Sequence, residues 1–417
     1  MASNTRYAGK PDAVLLQGFH WQSNGHSWYR ILAEMADRIR SAGFDYVWFP
    51  PPSASADAQG YLPTEWYNLN SRYGTQEELK RAIGALGDGE RRVAAIVDVV
   101  VNHRCGLHDW ADFHNPHFAP EGTTNPQAIE AANRKAVVQE DEWKDTGGKP
   151  DGGADSGDQF DGGRDLDHNN PNVQQAIIKW LDWLKTEIGF AGWRWDLVKG
   201  YHPRFVGMYN DATGPVFSVA EYAEAEPLPL VDWINRTWGK DDIDGSPDRT
   251  GGKSCAFDFA TREYLRKAFR EENYAVLKSV DGRCPGLIGH WPATAVTYMD
   301  NHDTEPANHN DPYPSERIAA GYAYLLTHPG KPCVFWAHLF DWDEALQQTI
   351  LELIRLRRAA GLHAESGANI LQAQGDLYAA IIDDKIAVKL GPGLWQPDGN
   401  GWTNVFSGDG FVIWSQK

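Results

Sequence analysis

Residues 169–201 read NNPNVQQAIIKWLDWLKTEIGFAGWRWDLVKGY, and this stretch decides the fold. Its first part has a helical period, with Ile177, Leu181, Leu184 and Ile188 on one stripe. Pro171 stands near the helix start and Gly189 at its stop. GWRWD (192–196) follows at once and reads as a strand. A helix, a glycine and then an apolar strand is the grammar of a βα unit. It occurs again in WYRILAEMADRIRSAG (28–43), where Trp28, Leu32, Met35 and Ile39 form the stripe and Gly43 the stop.

Working outward, similar short runs recur along the chain. They are AVLLQGF (13–19), DYVWFP (45–50), VAAIVDVVVNH (93–103), VFSVAEY (216–222), CAFDF (255–259), AVTYMD (295–300) and CVFWAH (333–338). With GWRWD they make eight strands alternating with helices, which predicts an α/β fold: a closed parallel (β/α)8 TIM barrel over 1–103 and 169–360. Residues 104–168 break the pattern. They are rich in Gly, Asp, Asn and His, and read as a small domain inserted after strand three. From 361 to 417 the helices stop. LYAAIID, KIAVKLG, TNVFSG and FVIWSQ predict four strands of a small antiparallel β domain.

Composition narrows the function. The formal charge is −18, which argues against nucleic acid and against an anionic membrane surface. No apolar run is long enough for a membrane span. The opening residues lack a signal-peptide profile, so either a cytosolic protein or a mature secreted form is expected. A monomer is expected. Cys105, Cys255, Cys284 and Cys333 form no CxxC pair; buried free thiols are expected, with a Cys255–Cys284 bridge as the alternative. The 18 tryptophans exceed common usage; most are expected in the core and a minority against substrate, since indole stacks under sugar rings.

Barrel enzymes react where strands end, at the carboxyl face. On strand four Arg194 and Asp196 share one face, and Trp193 and Trp195 take the other. The arginine would keep the aspartate ionised, as a nucleophile requires; the alternative is a plain core ion pair. On strand five Glu221 emerges from apolar neighbours, which should raise its pKa and suit a general acid. Glu224 and Glu226 read as a solvated face. Strand seven ends with His302 and Asp303, and strand three with Asp98, Asn102 and His103. Two carboxyl groups on adjacent strands suit glycosidic cleavage, where retaining enzymes hold the pair roughly 5–5.5 Å apart. In the insert, DSGDQFDGGRDLDHNNP (155–171) gathers hard oxygen ligands among glycines and suggests calcium; the alternative is an acidic solvated loop.

DVVVNH, GWRWDLVKGY, VAEY and MDNHDT, in this order, resemble the four signature segments of the α-amylase family (glycoside hydrolase family 13). VLLQGFHWQS, YVWFPPPSAS with GYLP, and GYAYLLTHPGKPCVFW are similar to plant α-amylases and bacterial maltotetraose-forming amylases. The resemblance implies a retaining α-1,4-glucan hydrolase acting on starch and maltooligosaccharides. It implies Asp196 as nucleophile, Glu221 as acid/base and Asp303 as the group that holds the sugar hydroxyls. Arg194 would orient Asp196. His103, His302 and Tyr61 would bind the sugar at the cleavage point, Lys199 and Gly200 would line the leaving-group side, and Tyr222 would meet substrate at the border of the cleft. Asn102, Asp155, Asp158, Asp165 and the Gly200 carbonyl would hold Ca2+. Two positions depart from the resemblance: Tyr222 stands where Trp is common, and Glu305 where Gly is usual. An exo-acting maltooligosaccharide-forming enzyme and a transglycosylase on the same site are the alternatives. A barrel that only binds glucan, and a hydrolase using the histidines as metal ligands, fit the sequence less well.

Overall fold

The computed structural model describes residues 5–108, 111–141, 150–239, 251–305 and 313–416. Eight strands close a barrel: β1 Leu15–Gln17, β2 Tyr46–Phe49, β3 Ala94–Val99, β4 Gly192–Trp195, β5 Phe217–Ala220, β6 Cys255–Phe257, β7 Ala295–Tyr298 and β8 Lys331–Phe335. Each pairs in parallel with the next, and β1 closes on β8 through Leu15↔Cys333 and Gln17↔Phe335. Seven fall within the runs expected from sequence; β8 begins two residues earlier than the expected 333–338 run and ends at Phe335.

The helices that follow the strands are α1 Trp28–Ala42, α2 Gln76–Gly87, α3 Pro171–Trp183, α4 Pro203–Thr213, α5 Pro227–Arg236, α6 Phe259–Arg270, α7 Ile318–Thr327 and α8 Glu344–Ala359. The two glycine stops are real. Gly43 (φ 96°) and Gly189 (φ 105°) end their helices in the left-handed region, where a Cβ is disfavoured. Before Gly189 the helix widens into a π turn over Leu184–Ile188, closed by Gly189 N donating to Leu184 O at 3.0 Å. Trp193 and Trp195 turn away from the barrel axis and are fully buried. Their indole N–H groups reach Thr213 Oγ1 (3.1 Å) and Ser218 Oγ (3.0 Å). Trp28, Trp48, Trp66 and Trp180 are also core residues, as expected of most tryptophans.

The insert is anchored by a two-residue antiparallel ribbon, His103↔Asp165 and Arg104↔Arg164. It also contains a helix, Pro126–Lys135, that its weak apolar period did not reveal. The overlooked signal is Asn125-Pro126: the Asn125 side chain caps Ala128 N, and proline takes the first turn.

The C-terminal sheet has five strands rather than four: β9 Ala368–Gln374, β10 Leu377–Ile382, β11 Ile386–Leu390, β12 Trp402–Gly408 and β13 Phe411–Gln416, in the order β9-β10-β11-β13-β12. The unforeseen β9 is an edge strand with mostly exposed, weakly alternating residues. Asp383 and Asp384, both at positive φ, make the tight β10–β11 turn. His328 Nε2 meets Tyr378 OH at 2.7 Å and ties this sheet to the barrel. All four cysteines are buried free thiols, so the Cys255–Cys284 bridge does not form. Among the described residues no helix is long and apolar enough to cross a membrane.

Candidate active site

Strand register builds the site. Asp98 on β3 stands directly beside Arg194 on β4. Trp195 pairs with Ala220 on β5, so the next step along both strands brings Asp196 beside Glu221. Arg194 is buried and binds three carboxyl groups. Its Nη1 donates to Asp98 Oδ1 (2.8 Å) and Asp196 Oδ1 (2.6 Å), and its Nη2 to Glu221 Oε2 (2.8 Å). Asp196 and Glu221 thus hang side by side on one guanidinium. The ring of Trp48 lies 4.8 Å from the guanidinium carbon.

One positive charge faces three carboxyl groups here, so a proton is needed to relieve the excess. Burial pushes Glu221 up to about 8; Arg194 opposes the rise, and Asp196 and Asp303 add to it. Burial also raises Asp98, against the pull of Arg194. Asp98, however, accepts from Arg194, from Trp48 Nε1 (3.1 Å) and from Tyr61 OH (3.0 Å). Among the described residues, Glu221 accepts on Oε2, from Arg194 and from Leu197 N (3.2 Å). We therefore assign the proton to Glu221. Leu197 sits at φ 44°, an uncommon conformation for a branched residue, and this aims its N–H at the glutamate.

His302 is buried and held neutral, pushed down to about 4 chiefly by burial. Gln17 Nε2 contacts its Nδ1 at 2.9 Å, and Tyr61 OH its Nε2 at 2.6 Å. The Tyr61 and His302 rings are near-parallel, 5.3 Å apart. Asp303 Oδ2 lies 3.4 Å from His302 Nε2 and is partly open to solvent. His103 Nε2 contacts Tyr61 O at 2.7 Å. Lys199 reaches the Tyr222 ring (5.2 Å) and Glu224 (3.5 Å). Glu224 is therefore a half-buried ion-pair partner rather than part of a solvated face, whereas Glu226 is exposed.

The expected calcium residues lie close by. Asn102 Nδ2 donates to Asp165 Oδ1 (3.0 Å), while Asn102 Oδ1 is buried with no hydrogen-bond partner. A methyl group on Gly200 would come within 1.9 Å of that oxygen. Asp155 Oδ2 is likewise buried and unpartnered, and Asp158 N donates to Lys199 O at 2.9 Å. Among the described residues no three His, Cys, Asp or Glu side chains cluster as a metal site.

Three contributors escaped the sequence reading: Gln17, Trp48 and the role of Asp98. Each left the same signal, a polar or amphipathic side chain inside an apolar barrel run.

A closed barrel with carboxyl groups in register on its fourth and fifth strands has the architecture of a barrel glycosidase. "Alpha amylase, catalytic domain" matches residues 31–214, and "Alpha-amylase C-terminal beta-sheet domain" matches 359–415. "Probable alpha-amylase 2" of Arabidopsis thaliana is 36% identical, covering 96% of this chain and 93% of its own length. The "Glucan 1,4-alpha-maltotetraohydrolase" of Stutzerimonas stutzeri is 31% identical, covering 94% of this chain and 70% of its own. The crystal structure of an Anoxybacillus alpha-amylase shares the fold, with a TM-score of 0.68 at 17% identity over 98% of each chain. The chain belongs to the α-amylase family of glycoside hydrolases.

Proposed function

We propose that this protein hydrolyses α-1,4-glucosidic bonds of starch and maltooligosaccharides with retention at the anomeric carbon. The observation that carries this reading is the shared guanidinium: Arg194 holds Asp196 on one terminal nitrogen and Glu221 on the other. Asp196 attacks the anomeric carbon as a carboxylate. Glu221 gives its proton to the departing glycosidic oxygen. The glycosyl–aspartyl ester is then opened by water, which Glu221 deprotonates, so the enzyme returns to its starting state. Neutral His302, Tyr61, His103 and Asp303 bind the sugar being attacked, and Lys199 and Tyr222 line the leaving side.

In the same reading, residues 104–168 are an inserted domain and 361–417 a C-terminal one. Asn102, Asp155, Asp158, Asp165 and the Gly200 carbonyl would hold a calcium ion, which would tie the insert to the barrel. The donor set fits: Asn102 Oδ1 is buried without a partner, the missing Cβ of Gly200 leaves that oxygen uncrowded, and Asp155, Asp158 and Asp165 supply carboxylates. When bound, the ion supplies structural cross-linking beside the site.

The test is timed product analysis on starch, with the anomeric form of the first products read by NMR. Wild type should release α-anomers of mixed length, the signature of endo action. One dominant oligomer would favour the maltotetraose-forming reading, and β-anomers would sink retention. Asp196→Asn and Glu221→Gln should each lower kcat by about 10^3-fold or more while the melting temperature stays near that of wild type.

A further inference from the structure

We propose that Glu305 is a positioning residue that sets glycone-side selectivity by pinning the Trp21 loop against the exit of β7; this rests on the glucan-hydrolase reading above. Glu305 is almost fully buried, and its Oε1 accepts from Trp21 N at 2.7 Å. The two residues lie far apart in sequence, so this bond joins the loop after β1 to the turn after β7, where Glu305 N in turn donates to Asn301 O (3.0 Å).

The pinned loop presents a ring to the site. The Trp21 indole is near-parallel to the His302 imidazole, 6.3 Å away with 16° between planes. Tyr61 is near-parallel to the same imidazole. Three planar side chains, Trp21, His302 and Tyr61, therefore share one orientation. With His302 and Tyr61 binding the sugar under attack in the reading above, Trp21 beside them borders the next sugar on the glycone side. A flat, half-exposed indole there stacks under a pyranose ring.

The loop has other ties around Trp21: Phe19 packs on Trp48 and His302, Trp28 Nε1 donates to Gly18 O (2.7 Å), and His20 N donates to Ser23 Oγ (2.9 Å). Asn24 Nδ2 donates to Trp21 O (2.9 Å), and His20 Nε2 lies 3.8 Å from Asp341 Oδ2. None of these satisfies the Trp21 N–H, which among the described residues is met by the Glu305 carboxyl oxygen. Loss of that acceptor leaves an N–H to find water and the indole free to tilt.

The experiment compares Glu305→Ala, Glu305→Gln and Trp21→Ala on pure maltooligosaccharides of increasing length. Glu305→Gln keeps an accepting carbonyl oxygen and should stay within about twofold of wild type in KM. Glu305→Ala should raise KM for the longer substrates about fivefold with kcat little changed, and shift the early product lengths as Trp21→Ala does. A wild-type profile in Glu305→Ala overturns the proposal, as does a Glu305→Gln enzyme that behaves like the alanine variant. If Glu305→Ala does not fold, the Gln and Trp21→Ala enzymes still decide: an unshifted profile in Trp21→Ala refutes it. A wild-type protein that leaves every α-glucan intact would instead refute the parent reading.

Discussion

At the barrel mouth, Asp98, Asp196 and Glu221 share the guanidinium of Arg194. In the insert, Asp165 is held by the Asn102 amide and by Phe160 N (2.8 Å), and Asp155 Oδ1 accepts from Gly157 N (3.1 Å). The first cluster carries its counter-charge on a strand, in register. The second is arranged by turns and backbone N–H groups, which orient oxygens without neutralising them. A carboxylate cluster built the first way depends on one residue. Built the second way, it leaves its charge for a cation such as the proposed calcium ion to balance.

The largest expected effect breaks the first cluster. Arg194→Met leaves three buried carboxyl groups without a cation and should cost about 3–5 kcal/mol at pH 8. At pH 5 the loss should shrink, because Glu221 and Asp98 are both raised by burial and take up protons more readily there. Urea unfolding at the two pH values checks this; an equal loss at both would mean that Arg194 acts by packing alone.

Next comes the second cluster. Chelation of calcium should lower the melting temperature, since a ligand at about 100 times its Kd contributes about 2.7 kcal/mol. Gly200→Ala pushes a methyl group onto Asn102 Oδ1 and should remove most of that calcium dependence. Calorimetry with and without chelator reads both, and a Gly200→Ala protein that still responds fully to chelator would dismiss the cradle.

The pH profile sharpens the comparison from the catalytic side. In the proposed mechanism Glu221 must be protonated to act, and burial moves its titration from the usual 4.5 up to about 8. kcat/KM should therefore fall as pH rises through about 8. The stability sign agrees. Between about 4.5 and 8 the folded state keeps a proton that the unfolded chain has released, so this contribution is full below the unfolded value and lost as pH rises through the folded one. An alkaline limb unmoved in a stable, weakly active Glu221 variant would assign the titration to another group.

The two clusters also differ in how far sequence exposes them. Arg194 and Asp196 are legible because alternation on GWRWD puts them on one face, with Trp193 and Trp195 on the other. The eight strands are legible because each is a short apolar run ahead of an amphipathic helix. Glu305 could be singled out, but not its bond to Trp21, and Gln17 could not be linked to His302. Those contacts arise when β1 closes beside β8 and the β7 exit, and no local period encodes which distant residues closure brings together. The insert is less legible still. Its helix Pro126–Lys135 buries little apolar surface and so leaves almost no stripe.

Gln17 tests that closure with the smallest expected effect. Its amide donates to His302 Nδ1, which leaves the imidazole proton on Nε2, toward Tyr61 OH; Tyr61 then gives its own proton to Asp98. Gln17→Leu removes the donor while filling the space, and should lower kcat/KM about fivefold, the worth of one buried hydrogen bond. Gln17→Glu should do more harm despite its polarity. A carboxylate there calls for a proton on Nδ1, which either reverses the tautomer or charges the ring. With the tautomer reversed, Tyr61 must donate to Nε2 and abandons Asp98; with the ring charged, a cation is buried beside Arg194. Steady-state kinetics of the two variants separates these cases. A glutamate variant as active as wild type would mean that the direction of this proton chain, and with it the neutral His302, has no part in binding the sugar.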